Sequence, residues 1–351
     1  MAHGRRPSQS LIHSPELASN FTATAPLSDA EDWLTLWQAS FARDIIDSRI
    51  VAVDGQISVE EACDILLSED IPCLAIKSID HSVSGLFDFS DVNAFLTLAA
   101  TKHTFSAEAV QEKPRVDDIF TAARSGHVLV SIVSNLSEKN PLHTLPYDAT
   151  VVSLLEVFAR GAHRVLIKSN SSEASEEEFI GIVSDRRLLT WFLSFAQQSE
   201  SESLRTYLSN PLSSFSDSLP SLNLFASVVA TKVVTDIGKI VVPSQSNQIL
   251  SLSIQHFISL IKGPDGSMDG QDRYPVYSVL PTSTMLYTIQ KLLATNAHRV
   301  FITQDSTVSS PLLSPKSSGN LAGLVSVVDI LSLFARLAKV KDVDPTRVRS
   351  L

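Results

Sequence analysis

Three stretches of this chain repeat one another, and that repetition constrains the fold more than any other feature. They are Gly85-Leu86-Phe87-Asp88-Phe89-Ser90-Asp91-Val92, Gly181-Ile182-Val183-Ser184-Asp185-Arg186-Arg187-Leu188 and Gly323-Leu324-Val325-Ser326-Val327-Val328-Asp329-Ile330. Each reads as a short apolar strand running straight into a helix. Val234-Thr235-Asp236-Ile237-Gly238 is a partial further copy. Upstream, a His-Arg pair precedes an apolar strand twice, at His163-Arg164 and at His298-Arg299, with the histidines 135 residues apart. Each copy opens on a strand and turn, as at Leu145 to Thr150 and Val279 to Thr284, where Thr is ordinary N-cap chemistry. The segments after them, Val151 to Arg160 and Met285 to Ala294, carry apolar residues at helical spacing. The predicted unit is strand, helix, strand, strand, helix, which makes the chain α/β.

The rest of the 351 residues is organised around these units. Residues 1–27 are Ser-, Thr-, Pro- and Ala-rich without periodicity and read as a disordered tail. A helix is predicted over 28–47, with Ser28 and Glu31 as a capping box and Trp33, Trp37, Phe41 and Ile45 along one face. That stripe reads as core packing or docking on the domain behind it, with a partner-binding face as the alternative. The motifs then span 48–100, 114–198, 221–262 and 272–340, with a Ser-rich linker at 199–220 and a C-terminal tail at 341–351. Lys168 to Glu178 and Thr303 to Asn320 read as solvated inserts. With 28 basic against 38 acidic residues the net charge is −10, which disfavours nonspecific binding to nucleic acid or to an anionic membrane. Two cysteines, Cys63 and Cys73, are too few for a disulfide framework or a four-thiolate zinc site and predict reduced intracellular thiols. No apolar run suits a signal peptide or a bilayer span.

The repeated unit resembles the cystathionine-β-synthase (CBS) motif, and four copies resemble the tandem arrangement of AMP-activated kinase γ subunits. The resemblance covers roughly residues 45–340 and rests on the His-Arg before a strand and on Gly-x-x-Ser-x-x-Asp-Ile before the last helix. It implies two CBS-pair (Bateman) modules with nucleotide clefts between paired motifs. The Ser- and Pro-rich head, the helix near Trp33, the insert in motif four and Leu331-Ser332-Leu333-Phe334-Ala335-Arg336 resemble fungal proteins of the Sds/Moc type. That resemblance implies a noncatalytic regulator, cytoplasmic and nuclear, that restrains type 2A-like protein phosphatases and affects cell-cycle progression and cell separation. The kinase γ resemblance implies the alternative, an adenine-nucleotide sensor regulating a protein kinase, with AMP, ADP or ATP as ligand.

By resemblance the candidate nucleotide residues are His163, Arg164, Ser184, Arg187, Asp236, His298, Arg299, Ser326, Asp329 and Asp91. A Ser at a helix mouth can hold a phosphate beside unsatisfied N–H groups, and an Asp one turn on can accept from ribose hydroxyls. The same Ser326 and Asp329 equally fit a capping box, and the His-Arg pairs equally fit cations at helix ends. Motif one places Asp88 where a phosphate-binding hydroxyl would stand, and a carboxylate there repels phosphate. Its Ile71-Pro72 replaces His-Arg, while motif two has Arg187 in place of the ribose Asp.

Motif three departs furthest. Its early strand at Val229 and late strand at Lys232 are only three residues apart, so a helix and a strand are missing. The gap reads either as a degenerate copy or, preferred because both flanks match, as a gene-model error; either way the module shared with motif four loses core. No Walker or Rossmann loop, Gly-x-Ser-x-Gly or zinc-spaced Cys/His set occurs, and no enzyme is expected. Arg5-Arg6-Pro7-Ser8 resembles a basic-directed kinase substrate, which makes Ser8 the expected phosphorylation site.

Overall fold

The computed structural model describes residues 30–101, 114–170, 178–199, 201–219, 277–303, 321–341 and 343. The whole of motif three, with Asp236, lies outside the described residues, as do Ser8 and the N-terminal tail.

Three units share one topology. In the first, β1 (Ala52–Asp54) leads to α2 (Val59–Ser68), β2 (Leu74–Lys77), β3 (Val83–Phe87) and α3 (Phe89–Thr101). The second has β4 (Thr144–Leu145), α6 (Val151–Phe158), β5 (Arg164–Lys168), β6 (Phe179–Ser184) and α7 (Asp185–Gln198). The third has β7 (Ser278–Val279), α9 (Met285–Ala294), β8 (Arg299–Thr303), β9 (Leu321–Ser326) and α10 (Val327–Leu337). In each, the first strand lies parallel to the second and the second antiparallel to the third. The parallel pair needs a crossover, which the intervening helix supplies, and the antiparallel pair needs only a turn or insert. Each crossover helix starts on a hydroxyl N-cap (Ser58, Thr150 or Thr284) that accepts from the N3 amide.

Between these units run short segments that each dock on a different unit from the one they precede. Ala42 N donates to Ala149 O (2.8 Å) and Val151 N to Ser40 O (2.9 Å), so the segment before motif one is bound at the start of α6 in motif two. Reciprocally, Val59 N donates to Val128 O and Val130 N to Ile57 O, both 2.9 Å, binding the segment before motif two to α2 of motif one. That segment carries α4 (Pro114–Ser125) and the single turn α5 (Val130–Val133). The same ladder recurs a third time. After α8 (Glu202–Ser209), Leu212 N donates to Ser283 O and Met285 N to Asn210 O, so the segment preceding motif three is bound to α9 of motif four.

The exchange explains two of the repeated glycines. A Cβ on Gly85 would stand 2.4 Å from Ser134 Oγ, and one on Gly181 would stand 2.5 Å from Ile46 Cγ2. Ser134 and Ile46 belong to the exchanged segments, which therefore press on the third strand as well as on the helix.

The exchange also corrects the predicted 28–47 helix. The helix α1 (Ala30–Ala39) stops, Phe41 bridges to Thr150, and Ala42–Ile45 forms a 3-10 turn. Docking on motif two competes with helix continuation at this point, and the backbone bonds to motif two win. Trp33 and Trp37 do face the core. Trp37 is fully buried and meets Phe192 of α7 edge-on at 4.6 Å between centroids and Phe334 of α10 at 6.0 Å. Phe192 and Phe334 stack at 4.6 Å. One continuous core thus joins α1, motif two and motif four, while motif one has a core of its own around Leu66, Ile76 and Phe87. Among the described residues no helix is long and apolar enough to cross a membrane.

Trp37→Ala is expected to cost about 3–5 kcal/mol in urea unfolding, as large aromatic truncations in cores do. Trp37→Phe should cost much less, because Trp37 Nε1 has no hydrogen-bond partner among the described residues.

Candidate functional site

The sheets of motifs one and two face each other across Cys73, Ala75, Leu86, Leu166, Phe179 and Ile182. Burial pushes both the Cys63 and Cys73 thiols up to about 12, which removes them as nucleophiles near neutral pH. At one end of this interface Arg164, at the start of β5, reaches across to motif one. Its Nη1 donates to Asp88 Oδ2 and to Asn140 Oδ1, each at 2.7 Å, and its Nη2 to the Pro72 carbonyl at 3.3 Å. The side chains are 15% and 8% exposed, so this is a nearly buried ion pair. Burial alone would raise the Asp88 carboxyl, but the Arg164 charge and hydrogen bonds with Asn140 and Ser90 hold it below the ordinary range. A protein carboxylate therefore occupies the guanidinium that the resemblance assigns to phosphate.

Asp91 lies one helical turn beyond and is fully buried. It accepts from Asp88 N (3.2 Å) and Ser137 N (2.9 Å), the second across the interface from the segment before motif two. Burial, reinforced by the Asp88 charge, pushes its pKa up to about 6 against the lowering effect of Ser137.

Motif two places Ser184 as the N-cap of α7, accepting from Arg187 N at 3.2 Å. Its hydroxyl also donates to Asp47, from the segment before motif one. Arg187 Nε donates to the Ile45 carbonyl at 3.3 Å, so Ser184 and Arg187 both hold the exchanged segment. Burial raises the Asp47 pKa despite the Ser184 bonds and the Arg187 charge.

In motif four Ser326 and Asp329 bond each other. Ser326 Oγ donates to Asp329 Oδ2 (2.7 Å), as does Ser326 N (2.8 Å), and Asp329 N donates to Ser326 Oγ (3.2 Å). Both residues are buried, 6% and 3% exposed, and the pair forms a complete capping box on α10. Arg299 begins β8, paired in register with Ser326.

The two histidines of the His-Arg pairs come together. Their ring centroids are 6.0 Å apart, and His163 Nδ1 bonds the buried Asp185 Oδ2 at 2.7 Å. Burial would raise the Asp185 carboxyl, but His163, His298 and Arg164 hold it low. Desolvation, reinforced by His163, Arg186 and Arg164, pushes His298 down to about 4 against the pull of Asp185. Arg186 draws motif four close by donating to Ala297 O (2.8 Å) and Leu293 O (3.4 Å).

Of the expected residues, then, Arg164 meets Asp88 of motif one, whose amide bonds Asp91, and Ser184 and Arg187 meet at the exchanged segment. Ser326 and Asp329 meet within motif four, and His163 and His298 meet between motifs two and four. Sequence reasoning missed Asp47, Asn140, Ser137 and Asp185 as partners. Only Asp185 carried a signal, standing directly after the Ser of a repeated motif; the others lie in segments that do not repeat.

The three strand-helix-strand-strand-helix units, with their exchanged segments and repeated motifs, make this a tandem CBS-motif protein. No family model matches the chain. Its sequence is similar to fungal proteins named Sds23. That of Kluyveromyces lactis is 29% identical over 357 residues, covering 90% of this chain and 66% of the relative. That of Neosartorya fischeri is 30% identical over 343 residues, covering 89% and 59%, and that of Aspergillus niger 27% identical over 416 residues, covering 97% and 79%. The chain thus spans slightly under two thirds of the length of the Kluyveromyces lactis relative. Among solved structures, Protein MJ1225 of Methanocaldococcus jannaschii, proposed as an archaeal homologue of g-AMPK, aligns with a TM-score of 0.48 at 11% identity, covering 84% of this chain and 99% of that one. CBSX2 in complex with AMP aligns at 0.31 and 12%, covering 44% and 98%.

The buried Asp91 gives a signed pH prediction. The folded chain keeps the Asp91 proton up to about pH 6, whereas an unfolded Asp releases it near 3.8. Folding is therefore helped by this group in acid and loses that help as pH rises through 6. His298 acts oppositely over part of the window, so the effect is read as parent minus Asp91→Asn. Between pH 4.5 and 7 the parent should lose about 2 kcal/mol relative to the variant in urea unfolding. A pH-independent difference would show that Asp91 titrates as an ordinary carboxylate.

Proposed function

We propose that the chain is a noncatalytic regulatory protein that binds and restrains a type 2A-like protein phosphatase, acting in cell-cycle progression and cell separation from the cytoplasm and nucleus. The observation that carries this reading is the similarity to Sds23 proteins along nearly the whole chain, joined to a fold of paired CBS motifs. One feature adds support. The groups that would receive a nucleotide are engaged internally: Arg164 by Asp88 and Asn140, Ser184 by Asp47, and Ser326 by Asp329. Adenine-nucleotide sensing on behalf of a kinase must break one or more of these contacts, which makes it the second reading.

The two readings separate on purified components. The chain immobilised on resin should retain a type 2A-like catalytic subunit and lower its phosphatase activity, and calorimetry with AMP, ADP and ATP should show weak or no heat. Saturable nucleotide binding together with retention of kinase subunits but not phosphatase would overturn the first reading in favour of the second.

A further inference from the structure

His163, Asp185 and His298 form a cluster where motif two meets motif four. Their donor atoms all lie within 4.8 Å of one another. We propose that His163, Asp185 and His298 form a zinc-class divalent metal site that clamps motif two to motif four.

Three observations carry it. The first is chemical: two imidazoles and one carboxylate are borderline donors that suit zinc, cobalt(II) or nickel(II) and do not suit magnesium or calcium. Three such ligands with a water in the fourth position complete a tetrahedron. The second is geometric. A triangle of donors no wider than 4.8 Å has its centre ~2.8 Å from each corner at most, and zinc bonds are about 2.0–2.2 Å. Side-chain shifts of under about 1 Å then bring all three donors to bonding distance. The third is positional. Asp185 is 1% exposed and fixed at the start of α7, with its amide bonded to His163 O at 3.0 Å. Its carboxylate meets His163 Nδ1 at 2.7 Å and holds that ring in place. His298 arrives from the other module, its loop anchored by Arg186 through Ala297 O and Leu293 O.

The neighbouring guanidinium groups oppose a cation, but each is already engaged, Arg164 by Asp88 and Arg186 by backbone carbonyls. Binding replaces the hydrogen bond between His163 Nδ1 and Asp185 Oδ2 with bonds from both atoms to the ion. An ion held by residues 113 positions apart in sequence binds the folded state in preference to the unfolded one and raises its stability by mass action. No such pairing is available between motifs one and two, because motif one has Ile71-Pro72 where motifs two and four have His-Arg.

The test uses the full chain, stripped with chelator and titrated with cobalt(II), whose visible ligand-field absorption reports nitrogen and oxygen ligation. The expected result is one equivalent per chain with bands of a low-coordinate site, displaced by zinc. In His298→Ala, affinity should fall at least tenfold and the bands should weaken. Zinc should raise the thermal midpoint of the parent but not of His298→Ala. His298→Gln serves the same comparison should the alanine variant not fold. Absence of saturable cobalt binding, or the same spectrum, affinity and zinc-dependent midpoint in the folded variant, would overturn the proposal and leave the trio as a hydrogen-bonded contact between modules.

Discussion

The backbone exchange between motifs is the contact on which the rest of the structure depends. A CBS unit has a three-stranded sheet and two helices, too little to bury its own apolar faces. Each described unit is completed by a segment that precedes a different unit, bonded through two backbone hydrogen bonds at the start of the crossover helix. Motifs one and two exchange segments reciprocally and so form an interlocked pair. Motif four receives the segment that precedes motif three, which shows the same rule at work in the second module. The glycines of the repeated motif follow from it, since Ser134 and Ile46 lie where a Cβ at Gly85 or Gly181 would stand.

Polar chemistry is layered on this frame by contacts between motifs. Arg164 of motif two neutralises Asp88 of motif one, Ser184 and Arg187 of motif two hold Asp47 and Ile45, and Arg186 of motif two holds the helix end of motif four. Buried ion pairs are weak sources of net stability but costly to break on one side. They therefore favour one arrangement of motifs over others more than they add to its depth. Among the described residues motif two links the others: its core is shared with motif four and α1, and its arginines reach both motif one and motif four.

Much of the fold was legible in sequence because the repeat carries its own secondary structure. An apolar strand ending at Ser184 or Ser326 hands over to a helix most readily when the hydroxyl caps it, and both serines do so. The exchanged segments were not legible. Phe41 and Ile45 fall at helical spacing after Trp33 and Trp37, yet tertiary backbone bonds overrode that periodicity at Ser40. The site was legible only as an inventory of residue types. Ser326 and Asp329 read equally as ligand groups or as a cap, and the sequence holds no information on whether a ligand outcompetes the hydrogen bonds they make to each other. Arg164 illustrates the same gap, because its partner Asp88 lies 76 residues away in another motif.

A double-mutant cycle across the exchange tests the central claim most directly. A Cβ at Gly181 would lie 2.5 Å from Ile46 Cγ2 and 3.0 Å from Ile46 Cδ1, atoms that Ile46→Ala removes. Gly181→Ala, Ile46→Ala and the double variant would be compared with the parent by urea unfolding. If the exchanged segment is bound against the third strand of motif two, Gly181→Ala is strongly destabilising alone and much less so on the Ile46→Ala background, giving a coupling of about 1 kcal/mol or more. Additive effects within about 0.5 kcal/mol would contradict it, since independent sites add and touching ones do not.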